Sequence, residues 1–257
     1  MTVVGYGGGT DSTAMLVGLW QRQVPVDLIL FADPGGEQPH TYEYLEMLEH
    51  GMPPITMVWY TTKDGERLTL EQECLRSKTL PSIAYGHKKC SLKHKVTPQE
   101  KFCNHHPGCR DAWAKGEKVV KLIGYDAGEE RRRVKALPHD LQDPKYRKEY
   151  PLMDWGWDRG DCVQAIQSAG LPLPGKSSCF FCPSMKPREI RTLYHQYPEL
   201  LERALTIEDN ARPNLRTVRG LGRDFSWRDF ILADEAQLTL PEAFSADDLP
   251  CSCSVSG

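Results

Sequence analysis

The chain of 257 residues contains no run of about 18 or more apolar residues, which excludes a membrane-spanning helix. No basic stretch followed by an apolar core opens it. Met1-Thr2-Val3-Val4 leads straight into a strand-like segment, so the expectation is a cytoplasmic protein without a secretory signal or membrane partner. A large charge excess is also missing: 32 Lys and Arg against 35 Asp and Glu leave a net charge of -3. That balance gives no global attraction for nucleic acid, so any polyanion must be held by a local patch. There is no internal repeat and no low-complexity segment. The nine cysteines form an odd set at irregular spacing, a poor match to a disulfide framework and a better one to reduced thiols or metal ligands.

The composition, 40% hydrophobic and 26% charged, is that of an ordinary folded domain, and the length suffices for one large α/β domain with or without a small appendix. The opening sixty residues alternate. Strand signals at Val3 to Tyr6, Val26 to Phe31 and Ile55 to Tyr60 flank helical stretches from Ser12 to about Gln23 and from Tyr42 to Glu49. This is βαβαβ with a parallel sheet, whose ligands bind beyond the carboxyl ends of the strands, where Gly7 to Ser12 and Asp33 to Gln38 fall. A helix follows from Leu68 to Ser77, then a Lys-, Cys- and His-rich stretch from Gly86 to Cys109 with no clean period. The sheet resumes at Val119 to Gly124. Helices are expected from Asp158 to about Gly170, on both sides of Pro198 between Lys186 and Asn210, and from the capping Ser226 through Leu232. The tail beyond Phe244 reads as loosely ordered.

Neither GxxxxGK[ST] nor GxGxxG is present. Instead a strand ends in Gly7-Gly8-Gly9 and Thr10-Asp11-Ser12-Thr13 opens a helix, which offers bare backbone N–H groups and a positive helix end to a phosphate. A glycine-rich turn that binds nothing is the bland alternative. The segment resembles the PP-loop of the adenine-nucleotide alpha-hydrolase superfamily, SGGxDS, with Gly7 in place of the first serine.

The resemblance continues to the phosphoadenosine phosphosulfate (PAPS) reductase-like branch over most of residues 3 to 190. Asp33, Gly35, Pro39 and Thr41 are similar to its DTGxxFPET segment. Cys90, Lys95 and Pro98 match CxxxxKxxP. Gly124, Glu129, Arg132 and Arg133 fall where GxRxxES.RR is expected, with Asp126 replacing its first arginine. Pro151, Asp154 and Trp155, then Val163, Ile166 and Gly170-Leu171-Pro172, resemble PIxDWtxxdVwxyIxxxglP. The resemblance implies a doubly wound, mostly parallel α/β sheet of the PP-loop type with a helical C-terminal region. Residues 1–185 would form the nucleotide domain, with a Cys/His-rich insertion near 86–115, then a helical region 186–244 and a flexible cysteine-containing tail 245–257.

Cys179-Phe180-Phe181-Cys182 is a CxxC unit, equally a redox pair, half a zinc site or part of a cluster site. The resemblance brings Cys90 to the same side and implies a 4Fe-4S cluster on Cys90, Cys179 and Cys182, with zinc as the alternative. A tandem CC is absent because Lys89 precedes Cys90, so the fourth ligand is open or another cysteine. Cys103 and Cys109, with His105 and His106 between them, read as an exposed, partly ordered insertion or a small zinc knuckle. Cys74 and Cys162 sit in helical patterns as small core residues. The tail Cys251-Ser252-Cys253 lacks the flanking glutamate and histidine of a reductase's ECGxH.

By resemblance, ATP with Mg²⁺ would lie across Gly7 to Thr13, with Asp33, Gly35 and Gly124 nearby and Asp11 positioning the metal. Asp11, Ser12, Lys95, Arg132 and Arg133 would serve attack at the α-phosphorus with loss of pyrophosphate. The partner would be a sulfur donor protein such as a cysteine desulfurase, or, for a reductase, a thiol reductant, and a nucleic acid is one acceptor class. Arg216, Arg219, Arg223 and Arg228 either hold a polyanion or sit in water. The alternatives are a phosphoadenosine or adenosine phosphosulfate reductase, using Cys251 or Cys253, and a nucleotide-binding or iron-sulfur regulatory module without turnover.

Overall fold

The computed structural model describes residues 1–49 and 54–238. In chain order its elements are β1 (Thr2–Tyr6), α1 (Thr10–Gln21), β2 (Leu28–Ala32), α2 (Pro39–Glu49), β3 (Ile55–Val58), α3 (Leu70–Ser77), α4 (Lys89–Ser91), α5 (Thr97–His105), α6 (Pro107–Ala114) and β4 (Val119–Leu122). They continue with α7 (Glu130–Gln142), β5 (Tyr146–Glu149), α8 (Pro151–Asp154), α9 (Arg159–Ser168), α10 (Pro187–Gln196), α11 (Pro198–Ala211) and α12 (Trp227–Leu238).

Five strands pair in the order β3-β2-β1-β4-β5, all parallel. The fully apolar β2, Leu-Ile-Leu-Phe-Ala, is buried along its length, as a central parallel strand covered on both faces must be. The order reverses direction between β1 and β4, so the crevice of a doubly wound sheet opens beyond their carboxyl ends. The expected fold class is borne out.

One face is covered by α1, α2, α8 and α9, with Met15, Leu19, Leu45, Leu48, Leu152 and Ile166 in a single apolar cluster. Helix α1 is buried over most of its circumference because it lies between the sheet and α9. The opposite face carries α5 and α6. There the structure corrects the sequence reading of Cys103 and Cys109: they are neither an exposed insertion nor a knuckle, but buried beside Val3, Leu28 and Leu30. Burial, then the neighbouring Cys103, pushes the Cys109 thiol up to about 12, so it behaves as a small apolar residue. His105 turns away to the Lys101 carbonyl, at 2.7 Å. Cys74 and Cys162 are core residues, as expected.

The last apolar cluster joins α3, Phe180, Phe181 and Met185 to α10, α11 and α12. The two helices split at Pro198 as expected, each with proline in its first turn. Helix α12 runs beyond Leu232 to Leu238. The expectations for Cys251, Cys253 and the tail lie outside the described residues.

Candidate functional site

The glycines at the end of β1 turn the chain into α1. Gly8 has φ 74°, and a Cβ there would stand 3.0 Å from Thr41 Cγ2 and 3.2 Å from Phe31, so the position suits glycine on both counts. Gly9 caps α1 without a side chain, and Thr13 returns its N–H to the Gly9 carbonyl, at 3.0 Å. Ser12 Oγ and Thr13 Oγ1 donate to that same carbonyl at 3.0 and 2.9 Å, which fixes the first turn. The N–H groups of Thr10, Asp11 and Ser12 are left at the positive helix end. Gly124, just past β4, lets this turn settle into the crevice: a Cβ on it would meet Ser12 Cα at 3.0 Å and Ser12 N at 3.1 Å. The buried Thr41 hydroxyl has no partner among the described residues, an orphan donor in the side chain that a Cβ on Gly8 would meet.

The loop after β2 forms the second wall. Asp33 is buried, and its carboxylate accepts from Gly35 N–H at 2.7 Å, Tyr42 Oη at 2.8 Å and Arg67 at 2.6 Å. It therefore orders its own loop. Glu37, which sequence reasoning passed over, is the junction of the site. Its side chain is fully buried; Oε1 accepts from Lys95 Nζ at 2.6 Å and Oε2 from Ser177 Oγ at 3.1 Å. Ser177 also donates to the Gly7 carbonyl at 2.6 Å, so one hydroxyl ties the phosphate loop to the junction. A buried carboxylate requires such partners, and their number explains its presence.

Lys95 projects from a π-helical turn, Leu92–Val96, between α4 and α5. An extra residue inserted in a helix re-aims side chains, a device common at functional sites. Burial would lower the Lys95 ammonium, but the facing Glu37 carboxylate and the Cys179 and Cys182 thiols outweigh it and raise it. On the same turn His94 is buried, and its Nε2 lies 2.6 Å from Glu73, which also accepts from Lys93 at 2.8 Å.

Cys179 and Cys182 lie on a segment stitched to the β2 loop: Phe180 N–H donates to the Gly36 carbonyl at 2.8 Å, and Gln38 N–H to the Ser178 carbonyl at 3.1 Å. The Cys90 N–H donates to Ser82 Oγ at 2.8 Å. The structure thus brings Cys90, Cys179 and Cys182 to the edge of one apolar cluster. Burial raises the Cys179 thiol well above its usual value; Glu37, Cys182 and Cys90 add to the rise and Lys95 opposes it. Among the described residues, no three Cys, His, Asp or Glu side chains already stand as a site for one metal ion.

At the mouth of α1, Asp11 is not free. Arg159, at the start of α9, donates to Asp11 Oδ1 at 2.6 Å and to Thr10 Oγ1 at 2.9 Å. Burial holds the Asp11 carboxyl above its ordinary value against the pull of Arg159, while Asp126 and Glu129 push the same way as burial. Arg132 pairs with Glu129 and its guanidinium stacks 4.2 Å from the Tyr125 ring; Arg133 lies 5.7 Å from the ring of Tyr150. The arginines expected to face phosphate are thus occupied by neighbours, with Arg132 held to Asp11's acidic surroundings through Glu129. Arg159 was missed, although its place right after the capping Asp158 of a helix was visible in the sequence.

The segment that carries the loop and the parallel sheet matches one known domain. The model of the phosphoadenosine phosphosulfate reductase domain covers residues 1–174. The chain belongs to this family. It is accordingly a member of the PP-loop, adenine nucleotide alpha-hydrolase-like superfamily, a nucleotide-binding enzyme class. Among curated proteins none matches it. In this PAPS reductase-family chain, no helix among the described residues is long and apolar enough to cross a membrane.

Proposed function

We propose that this protein binds ATP at the Gly7 to Thr13 loop, adenylates an acceptor with release of pyrophosphate, and passes sulfur to the activated acceptor. The observation that carries the reading is the Ser177 hydroxyl, two residues before Cys179, which joins the Gly7 carbonyl to Glu37, the partner of Lys95. Nucleotide loop and sulfur ligands are walls of one site.

ATP phosphates would take the free N–H groups of α1 and the orphan Thr41 hydroxyl, with Gly7, Gly8, Gly9, Gly35 and Gly124 allowing close approach and Asp33 holding the loop. Asp11, released from Arg159, would position Mg²⁺, and Arg159 would move to the phosphates. Lys95, Arg132 and Arg133 would offset the charge that develops as the acceptor oxygen attacks the α-phosphorus and the bond to the β-phosphate oxygen breaks. A sulfur nucleophile then attacks the adenylated carbon and AMP leaves. A cysteine desulfurase-type donor would supply the sulfur, and nucleic acid is the acceptor class favoured here.

The soft thiols Cys90, Cys179 and Cys182, which border one apolar cluster, suit an iron-sulfur cluster by donor chemistry, with zinc as the alternative. When bound, such a cluster would supply a thiophilic site for the transferred sulfur. Iron and sulfide content of anaerobically purified protein, with Cys182→Ser as the comparison, tests it; absence of both elements would overturn it.

The family match itself favours a second reading, a sulfonucleotide reductase. Pyrophosphate release from ATP, measured beside sulfite release from phosphoadenosine and adenosine phosphosulfate, decides. Pyrophosphate alone supports adenylation, sulfite alone supports reduction, and neither product supports a binding module.

A further inference from the structure

Beyond residue 174, between α11 and α12, lies an open cavity of about 450 Å³ lined by Arg216, Thr217, Val218, Arg219, Arg223 and Asp224. Three arginines face one carboxylate. Arg191, Arg203, Arg212 and Arg228, in the same region, are each paired with Asp or Glu. No carboxylate pairs with Arg216, Arg219 or Arg223 among the described residues.

The loop that carries them is built rather than loose. Arg223 sits at φ 68°, a left-handed conformation that is strained for a residue with a side chain. It is held there by Arg219 N–H donating to the Arg223 carbonyl at 2.7 Å and Arg223 N–H to the Gly220 carbonyl at 2.9 Å. Beneath them the buried Glu208 carboxylate accepts from the N–H groups of Leu221 at 2.7 Å, Trp227 at 2.9 Å and Arg228 at 3.1 Å. Backbone strain that its surroundings over-determine, under a set of unpaired guanidiniums, points to a ligand. Leu215, Val218 and Phe225 of the loop pack on the apolar cluster that also borders Cys90, Cys179 and Cys182, so the cavity is anchored to the cluster that shelters the thiols.

We infer that this arginine cavity binds the phosphodiester backbone of a nucleic-acid strand. Planar guanidiniums and the Thr217 hydroxyl are donors matched to phosphate oxygens. No aromatic ring lines the cavity to stack on a base, so it reads backbone and not sequence. With a net charge of -3, the chain must draw a polyanion through a local basic patch, and this loop is one. The inference deepens the proposed function by naming the acceptor class, and rests on it only for the step after docking.

The test is fluorescence anisotropy of the full chain with labelled single-stranded RNA, single-stranded DNA and duplex DNA over a salt series. It is repeated on R216Q/R219Q/R223Q and on the equal-charge comparison K63Q/K115Q/K118Q, three exposed lysines elsewhere. Thermal melting of both variants checks the fold. Expected is binding that weakens at least ~10-fold in the arginine variant and not in the lysine one, with the single-strand salt slope falling by about 2 for three lost phosphate contacts. No strand binding by the native chain, or equal loss in both variants, overturns the inference. So does displacement by polyglutamate as readily as by unlabelled strand, which would mark a site for acidic peptides. Displacement by inorganic phosphate at comparable concentration would mark a free-anion site and overturn it equally. Pyrophosphate release by the native chain is scored separately, with and without a strand. Strand binding without pyrophosphate release sinks the proposed function and leaves the inference standing; release without strand binding does the reverse.

Discussion

At the scale of single residues, Glu37 shows how a functional junction escapes a sequence reading. A glutamate in a polar loop is ordinarily solvated, and only the fold reveals that Lys95, 58 positions away, and Ser177, 140 away, converge on it. Glu37→Ala leaves the Lys95 ammonium without its acceptor and the Ser177 hydroxyl with the Gly7 carbonyl alone. Discounted because Lys95 is one-third exposed, the expected loss is about 2 kcal/mol, read by urea denaturation, together with a fall in pyrophosphate release. Glu73 carries a pH dependence. Its hydrogen bond from His94, then that from Lys93, holds its carboxyl below the usual glutamate value of 4.5, and burial opposes them. A carboxyl lowered on folding stabilises above its unfolded value, and that contribution is lost as pH falls through the folded one. Stability should therefore drop as pH is lowered from 4.5, and Glu73→Gln should flatten that limb of the stability curve. An unchanged acid limb would show that the pair contributes nothing.

At the scale of elements, what was legible was whatever had an apolar period. β1 to β4, α1, α2, α3, α9, α10 and α11 were all expected within a few residues of their observed bounds, because each buries a face that its sequence must advertise. β5 was not, since Tyr146-Arg147-Lys148-Glu149 is an edge strand, and charge on an edge guards it against pairing with other chains. Helix α7 buries none of its residues and has a proline inside, so it offered no stripe to find. The stretch from Lys89 to His105 hid its helicity because the π turn shifts the period midway and places Lys95 toward Glu37. The phosphate loop was readable because glycines at a strand end have few other uses. Gly124 tests its geometry. In Gly124→Ala the new methyl would meet the backbone of Ser12 at 3.0 and 3.1 Å, and backbone cannot rotate away. The first turn of α1 must shift, and a misplaced phosphate cradle should weaken ATP binding ~10-fold or more, since a ~1.4 kcal/mol loss is tenfold in affinity. Isothermal titration calorimetry would register it. Unaltered affinity would mean that the nucleotide does not lie over this turn.

At the scale of the whole molecule, the three thiols depend on residues far along the chain. Cys90, Cys179 and Cys182 border a cluster whose buried members include Leu70 and Leu80 on one side of them in sequence and Ile190, Leu205, Ile207 and Trp227 on the other. Sequence periodicity exposes each helix of that cluster but not their partners, because which apolar stripe meets which is a property of the assembled chain. Trp227 is fully buried, and its backbone N–H is held by Glu208, the carboxylate that also holds the arginine loop. Replacing it with alanine should cost ~3–5 kcal/mol, the usual range for deleting a buried aromatic ring. If the C-terminal helices and the sheet unfold together, Trp227→Ala shifts one common transition in urea, seen alike by circular dichroism and by the rate at which Cys179 and Cys182 react with a thiol reagent. If instead the thiols of the variant become reactive at a urea concentration where the sheet is still folded, the C-terminal helices open separately. Coincident transitions would tie the sulfur site, the arginine cavity and the sheet to one folding equilibrium; separated ones would make the C-terminal helices a unit that can open over the thiols while the nucleotide loop stays closed.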